Sequence, residues 1–244
     1  MKFFFSRDEI GRAVKRHLER RALKKLNQNP TIAEVLAKAR PAGPKNYNPN
    51  VTTGVDYTDD LTLYNWIKKN KPQEILECGR GVTTSIMAQA LLENGGGRIT
   101  ALEDSEEFFE KGKENIHPTV RHLVDYRLTK RITKRYGPFV GVGYEGIPDR
   151  PYDFVFIDGP NYDRTAEYDA DIFEIVAKSN KPVSAMIDTR TGSCFIYHLV
   201  FGDKFRYDYL GRFGFIDGAT KDDMRDYLSI ISHSMKRREW RRWL

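Results

Sequence analysis

The chain has 244 residues, 40% of them hydrophobic, and a formal net charge of +6. This length suits one large domain, or one domain with an appendage, and the composition can supply a substantial core. No apolar run approaches the ~20 residues of a membrane-spanning helix, and the apolar stretch at 3–5 is too short for a signal peptide. Two cysteines, Cys78 and Cys194, exclude a disulfide scaffold and a cysteine-rich zinc site. We therefore expect a cytoplasmic protein.

The charge is distributed unevenly along the chain. Residues 1–45 carry twelve basic and four acidic side chains, and residues 236–244 carry five basic and one acidic. The remaining residues, 46–235, have a net charge of −6, so the overall charge does not by itself indicate a nucleic-acid-binding domain. This pattern predicts a basic N-terminal extension (1–45), a central domain (46–235) and a basic aromatic tail (236–244).

The N-terminal extension contains the signals of two helices. Ser6 and Glu9 have the spacing of a capping box, which predicts a helix over 7–27. Asn29-Pro30 begins a second helix that ends at Arg40-Pro41. Residues 41–50 are rich in proline, glycine and asparagine, which indicates a linker.

Beyond the linker, apolar segments of helical and strand character alternate. The helices are predicted around 61–67 and over 82–93, 105–115 and 163–177, and the strands over 75–78, 98–103, 120–124, 153–158 and 183–188. This alternation predicts an α/β fold with a doubly wound parallel sheet. Residues 205–210 and 213–216 flank Gly211-Arg212 and predict an antiparallel hairpin at the end of that sheet.

One glycine motif fits a nucleotide-binding pattern by letter only. Residues 141–146 read G-x-G-x-x-G, but Ile147-Pro148-Asp149 follows where the dinucleotide fingerprint requires a helix. We interpret this segment as a loop between the third and fourth strands.

The polar residues at strand ends are more informative, because ligands of open α/β sheets bind beyond the carboxyl ends of the strands. The first strand leads into a turn with Gly79 and Gly81, which can approach a ligand closely, and then into the N-terminal amides of a helix. Glu103, about twenty residues further on, can accept hydrogen bonds from both hydroxyls of a ribose. Three more predicted strands lead into carboxylates, at Asp125, Asp158 and Asp188.

In this order, these motifs resemble the class I S-adenosylmethionine-dependent methyltransferases. Glu77-x-Gly79-x-Gly81-x-Thr83-Thr84 is similar to the family's first motif, and Glu103 matches its ribose-binding acid. Residues 153–160 resemble its fourth motif, and the late hairpin corresponds to its sixth and seventh strands. The resemblance implies a Rossmann-like sheet of seven strands, mostly parallel, with an antiparallel C-terminal hairpin and additional N-terminal helices.

The resemblance also implies roles for individual residues toward the methyl donor, S-adenosylmethionine. The donor-binding set comprises Glu77, Gly79, Gly81, Thr83 and Thr84 at the methionine end, Glu103 and Asp104 at the ribose, Asp125 and Tyr126 at the adenine, and Asp158 near the sulfonium. Asp158 is the candidate general base, and Asp188 is the second candidate catalytic residue. A methyltransferase of this kind mainly has to align the acceptor oxygen and remove its proton.

A metal-dependent variant stays open at this point. Some small-molecule O-methyltransferases of this fold hold a divalent cation between acids that follow the fourth and fifth strands and an adjoining asparagine. Asp158 and Asp188 match the two acids, and their oxygens suit Mg²⁺, but Thr189 stands where the asparagine would be. Without a metal, Asp188 would position the substrate or accept a proton.

The acceptor is expected to be polar. Arg164, Arg190 and Tyr162 lie close to the predicted site in sequence and would suit a sugar-like or anionic acceptor. Arg80 replaces a residue that is commonly small in the family, and either contacts such an anion or points to solvent. The Asp-Gly-Pro turn also resembles methyltransferases of glycan modification.

The main expectation is therefore O-methylation of a small-molecule or glycan acceptor. The alternatives are an RNA methyltransferase, a non-catalytic nucleotide-binding partner subunit and, disfavoured, a nicotinamide-dependent dehydrogenase.

The C-terminal tail has three interpretations. At helical spacing, Trp240 and Trp243 would share one side and the arginines of 237–242 would largely occupy another. The tryptophans either pack on the protein itself or, with the arginines, bind the anionic inner face of a membrane. Single-stranded nucleic acid is the third and less favoured partner.

Overall fold

A computed structural model describes residues 7–39, 56–79, 81–160, 168–188, 190–208, 213–226 and 228–230. The linker at 41–50 and the tail at 236–244 lie outside these described residues, as do Arg80, Tyr162, Arg164 and Thr189. The chain divides into two compact units. The first takes residues from 1–71, 81–97 and 110–124, and the second takes them from 72–80, 98–109 and 125–244.

The first unit is helical. Its helices are α1 (Arg7–Leu26), α2 (Pro30–Ala39), α3 (Tyr57–Asn70), α4 (Val82–Glu93) and the second half of α5 (Glu106–Asn115). The two predicted N-terminal helices and the helix at 82–93 are confirmed. One apolar cluster of this unit contains Ala22, Leu26, Ile32, Val35, Leu36, Ala39, Tyr57, Val82 and Ile86.

Side chains fix where these helices begin. Asn29 Oδ1 accepts the N–H of Ile32 at 3.1 Å, which caps α2. The Glu19 carboxylate accepts the N–H of Tyr57 at 2.9 Å and the hydroxyl of Thr58 at 2.6 Å. A residue of α1 thus satisfies the first amides of α3, which ties the two helices together.

The second unit is built on a seven-stranded sheet. The strands of the chain are β1 (Glu74–Cys78), β2 (Arg98–Glu103), β3 (Val124–Leu128), β4 (Arg131–Tyr136), β5 (Phe139–Tyr144), β6 (Phe154–Ile157), β7 (Val183–Asp188), β8 (Phe205–Asp208) and β9 (Phe213–Ala219). The sheet order is β3-β2-β1-β6-β7-β9-β8, while β4 and β5 form a separate two-stranded sheet. Leu76 of β1 is in parallel register with Thr100 on one side and Val155 on the other. Strand β9 is antiparallel to both β7 and β8, so the predicted fold class and terminal hairpin are confirmed.

Two helices, α6 (Asp171–Lys178) and α7 (Thr191–Phe201), complete the second unit. Phe173 of α6 stacks on Tyr136 and Phe201, with ring centroids 4.4 Å and 5.6 Å apart. The sequence patterns did not predict α7, although six of its residues are buried. Among the described residues, no helix is both long enough and apolar enough to span a membrane.

The prediction for the third strand is wrong in its boundaries. A 3₁₀ turn occupies Arg121–Leu123, and the strand follows at Val124–Leu128 rather than at 120–124. Turn hydrogen bonds use the amides of the predicted strand: the N–H of Val120 donates to His117 O and that of Leu123 to Val120 O. An apolar run alone could not distinguish this turn from a strand.

The interpretation of residues 141–146 as a loop is also wrong. Residues up to Tyr144 belong to β5, with Gly143 paired to Ile132 of β4. A Cβ atom on Gly141 would collide with the Tyr168 carbonyl, and one on Gly143 with the Asp171 carboxylate. These glycines therefore serve close packing of the β4–β5 hairpin and not a phosphate turn.

Candidate functional site

The turns that follow β1 and β6 touch each other. Gly79 has φ +80°, and a Cβ atom there would lie 2.8 Å from the carbonyl carbon and oxygen of Asp158. A Cβ on Gly159 would lie 2.7 Å from Gly79 N and from the Tyr144 hydroxyl. Only glycine fits at this crossing, which lies at the carboxyl ends of adjacent strands where the winding of the sheet reverses.

Glu103 is the last residue of β2 and is held in one orientation. Its Oε1 accepts the N–H groups of Asp104 at 3.1 Å and Ser105 at 2.9 Å. Because backbone amides fix one oxygen, the carboxyl group keeps a defined direction at the end of its strand. This is the geometry that a hydroxyl-binding carboxylate requires.

The remaining residues of the first motif lie in β1 and at the start of α4. Glu77 is fully buried in β1. Gly81 immediately precedes α4 and has an extended backbone, and Thr83 and Thr84 belong to the first turn of the helix. That turn contains no acidic residue, so its amide groups keep the positive end of the helix dipole.

Asp125 and Tyr126 are not at the end of their strand. Asp125 is the second residue of β3, and its Oδ2 accepts from Arg127 at 3.0 Å and Arg150 at 2.8 Å. The Tyr126 ring stacks on Phe109 at a centroid distance of 4.8 Å. The resemblance implied that these two residues contact the adenine from the end of the strand. They lie within the strand instead, so this position does not support the adenine role.

Asp158 and Asp188 follow neighbouring strands at equivalent positions. Ile157 and Ile187 are register partners in β6 and β7, and each aspartate is the next residue. Burial of the carboxyl group, and then the negative charge of Asp188, raise the pKa of Asp158 to about 7. Since 42% of the Asp158 side-chain surface is exposed, water screens part of this effect.

The described residues do not fit a divalent cation. Within the described ranges, no group of three or more histidines, cysteines or acids converges on one point. Arg190 places its Nη2 3.9 Å from Asp158 Oδ1, so a positive charge already stands beside the proposed metal ligand. Thr189 lies outside the described residues. Among the residues that the structure describes, the Mg²⁺ variant thus lacks a suitable donor set.

Arg190 is engaged within the protein and is not offered to a substrate. Its guanidinium donates to Asp158 O at 2.5 Å, to Pro160 O at 3.0 Å and to Asp169 Oδ1 at 3.3 Å. Only 12% of its side chain is exposed. The substrate role predicted for Arg190 is therefore replaced by a clamp on the segment after β6.

The partner of this clamp, Asp169, was missed at the level of sequence. One face of α7 converges on it: the Ser193 hydroxyl donates to Asp169 Oδ2 at 2.8 Å, and the Tyr197 hydroxyl donates to its carbonyl at 2.5 Å. Burial raises the pKa of Asp169 to about 7, although Arg190 opposes the shift. Arg190, Ser193 and Tyr197 are spaced i, i+3 and i+7, which places them on one side of a helix. This spacing could have indicated a common partner only if α7 had been predicted.

A second buried ion pair joins the β4–β5 hairpin to α6. Lys134 Nζ lies 2.8 Å from Asp171 Oδ1 and 2.7 Å from Glu174 Oε2. The N–H of Tyr144 donates to both oxygens of Asp171 at 3.1 Å. Burial raises the pKa of Asp171 to about 6, while the Lys134 charge counteracts it. The hairpin that carries Tyr144 to the Gly79–Gly159 crossing is thereby fixed.

Comparison with known proteins agrees with this geometry. Residues 76–182 match a family model described as a methyltransferase domain. The structure of cofactor-bound Rv0187 from MTB superposes with a TM-score of 0.51 at 15% identity, covering 79% of this chain and 91% of that one. The O-methyltransferase TomG from Streptomyces achromogenes, solved in complex with SAM, gives a TM-score of 0.50 at 16% identity, covering 86% and 97%. At these identities the structures show a common fold. A search of curated proteins gives no significant match.

The methyltransferase-domain match over residues 76–182 and the shared fold agree with the resemblance that the sequence motifs gave. The order of its seven strands and the ordered first motif also agree with this resemblance.

Replacing Gly79 by alanine should disturb the crossing of the two turns. The new Cβ would meet the Asp158 backbone at 2.8 Å, in a backbone conformation that alanine disfavours. We expect a loss of about 2 kcal/mol or more in the free energy of unfolding, as for other strained sites. Gly146→Ala is the matched control, because its φ is +63° but nothing lies within 4 Å. An equal loss in both variants, measured by urea unfolding, would contradict a special constraint at Gly79.

The buried aspartates predict an unusual pH dependence of stability. The folded pKa of Asp169, about 7, lies above the ~3.9 of an unfolded aspartate, so the native state binds the proton more tightly. The stabilisation is complete below the unfolded pKa and is lost as the pH rises through about 7. The melting temperature should therefore rise when the pH is lowered from 8 to about 6, and Asp169→Asn should flatten that rise. Asp217→Asn, at an exposed ion pair with Arg206, should not change it.

Proposed function

We propose that the protein transfers a methyl group from S-adenosylmethionine to a hydroxyl oxygen of a polar, hydroxyl-rich acceptor such as a sugar. The observation that carries the proposal is the Gly79–Gly159 crossing, with Glu103 at the end of β2 and Asp158 directly before Gly159. The two carboxylates stand at strand ends on opposite sides of β1 in the sheet. One can hold a ribose, and the other can face the reacting centre.

Glu103 binds and orients the donor in this proposal. Two backbone amides hold its Oε1 and so orient the carboxyl group, which accepts hydrogen bonds from the ribose hydroxyls. Hydrogen bonds to a charged group contribute about 1.5–3 kcal/mol each.

Asp158 acts as the general base. S-adenosylmethionine supplies a methyl group already activated by the positive sulfonium. The Asp158 carboxylate would accept the proton of the acceptor hydroxyl as the hydroxyl oxygen bonds to the methyl carbon, and the methyl–sulfur bond would break to release S-adenosylhomocysteine. A pKa raised toward neutrality makes this carboxylate a stronger base than an ordinary aspartate. Arg190 holds the Asp158 backbone at 2.5 Å and keeps the base in place.

Two carboxylates at neighbouring strand ends favour a neutral, hydroxyl-rich acceptor over an anionic one. Asp188 can accept from a second hydroxyl of the same molecule while Asp158 accepts from the reacting one. Arg190, which would have favoured an anion, is already paired with Asp169. TomG, which shares the fold, is an O-methyltransferase of tomaymycin synthesis, and oxygen is thus one acceptor atom used on this scaffold.

Donor binding can be tested by calorimetry with S-adenosylhomocysteine and NAD. We expect binding of S-adenosylhomocysteine alone, weakened about 10- to 100-fold by Glu103→Gln through loss of charged hydrogen bonds. Glu106→Gln, an exposed neighbour, serves as the control and should bind normally. Binding of NAD alone would contradict the proposal, and unchanged affinity of Glu103→Gln would remove this residue from the ribose role.

Methyl transfer can be followed with labelled S-adenosylmethionine and a panel of glycosides, with RNA as a separate acceptor. Asp158→Asn should lower the rate by about 10²–10⁴-fold, the usual contribution of a general base, while S-adenosylhomocysteine still binds. Full activity of Asp158→Asn would exclude it as the base. Label found in RNA and in no glycoside would replace the proposed acceptor by the nucleic-acid alternative.

A further inference from the structure

Over residues 13–26, helix α1 is anchored along one side and largely exposed along the other. Ala22 and Leu26 are buried in the core of the helical unit, and Glu19 caps α3. Since these residues are fixed, the orientation of α1 on the unit is fixed as well. The outer face of α1 consists of exposed side chains, namely Val14, Arg16, Leu18, Arg20, Arg21, Lys24 and Lys25.

Within residues 13–26, no acid of α1 neutralises the positive charge of this outer face. Glu19, the single acid between residues 13 and 26, turns its carboxylate inward to Tyr57 and Thr58. Lys15 pairs with Asp56 at 2.8 Å and lies apart from the outer face. The outer face therefore presents five cations to solvent, and complementary charge requires an anionic partner.

Two exposed aliphatic side chains lie on the same stripe of the helix as two of these cations. Val14 and Leu18 are 52% and 39% exposed. Together with Arg21 and Lys25 they follow the i, i+4, i+7, i+11 spacing of one helix stripe. A phosphate backbone would pair with the cations but leave the aliphatic groups in water. A lipid surface pairs with the cations at its headgroups and buries the aliphatic groups at the acyl boundary.

We infer that the outer face of α1 is a docking surface for an anionic lipid bilayer. Its cations bind the headgroups, and Val14 and Leu18 insert at the interface. This surface is independent of the proposed catalytic function, and it would retain the enzyme beside acceptors that are themselves at the membrane.

The charge component can be tested by cosedimentation of the full chain with phosphatidylcholine vesicles, with and without phosphatidylglycerol. Arg16→Gln, Arg20→Gln and Lys24→Gln together should weaken binding to the anionic vesicles about 100-fold, at about fivefold for each cation. Lys69→Gln, Arg98→Gln and Lys221→Gln remove the same charge from exposed positions elsewhere and should have little effect. Equal losses in the two triple variants would overturn the proposal, because net charge alone would then explain binding.

The apolar component distinguishes a membrane from a nucleic acid. Val14→Ser with Leu18→Ser should weaken vesicle binding about tenfold, since less apolar surface is buried at the interface. Circular dichroism checks that the helix is retained. If the protein does not bind the vesicles but binds single-stranded RNA, and the serine variant binds RNA with the same affinity, the partner is a nucleic acid and not a membrane. Deletion of residues 236–244 in parallel measures the tail, and complete loss of binding there with none in the α1 variants would also overturn the proposal.

Discussion

The contact between two glycine turns is the constraint on which the proposed site depends. Gly79 and Gly159 bring the ends of β1 and β6 so close that no side chain fits at either position. Where the winding of a doubly wound sheet reverses, the segments that follow two adjacent strands leave toward opposite faces of the sheet. The strand ends ordinarily separate at this point. Here they stay in contact, so the distance between the residues at the strand ends is set by backbone packing and not by flexible side chains.

This contact is supported by buried charges on the same side of the unit. Arg190 connects the carbonyl groups of Asp158 and Pro160 to Asp169, and Lys134 connects the β4–β5 hairpin to Asp171. Burying such charges is costly, and an apolar core of the same shape would be at least as stable. Their advantage is directional: an ion pair defines where a carbonyl or a hairpin lies, whereas apolar contacts tolerate sliding. We therefore attribute to these ion pairs the precise positioning of the residues at the site.

The sequence was sufficient where local pattern and tertiary structure agree. Helix α4 and strands β2 and β7 were predicted at the residues where they occur, because caps, glycines and apolar runs mark their ends. It failed where long-range contacts decide the structure. The β5 glycines are spaced like a phosphate loop, yet they are required by Tyr168 and Asp171, which lie about 25 residues away. Arg190 resembled a substrate ligand because helix α6 and strand β7 separate it in sequence from its partner, Asp169.

The acceptor expected from the sequence differs from the acceptor that we propose from the structure, because Arg190 has a partner within the protein. At the level of sequence, arginines near the strand ends favoured an anionic acceptor as much as a sugar. In the structure the charge of Arg190 is shared between Asp169 and the segment that carries Asp158, so it offsets a buried acid and holds the proposed base. The strand ends of β6 and β7 then present Asp158 and Asp188. An anion would be repelled by this pair, whereas neighbouring hydroxyls could donate to both, which is why the geometry favours a hydroxyl-rich acceptor.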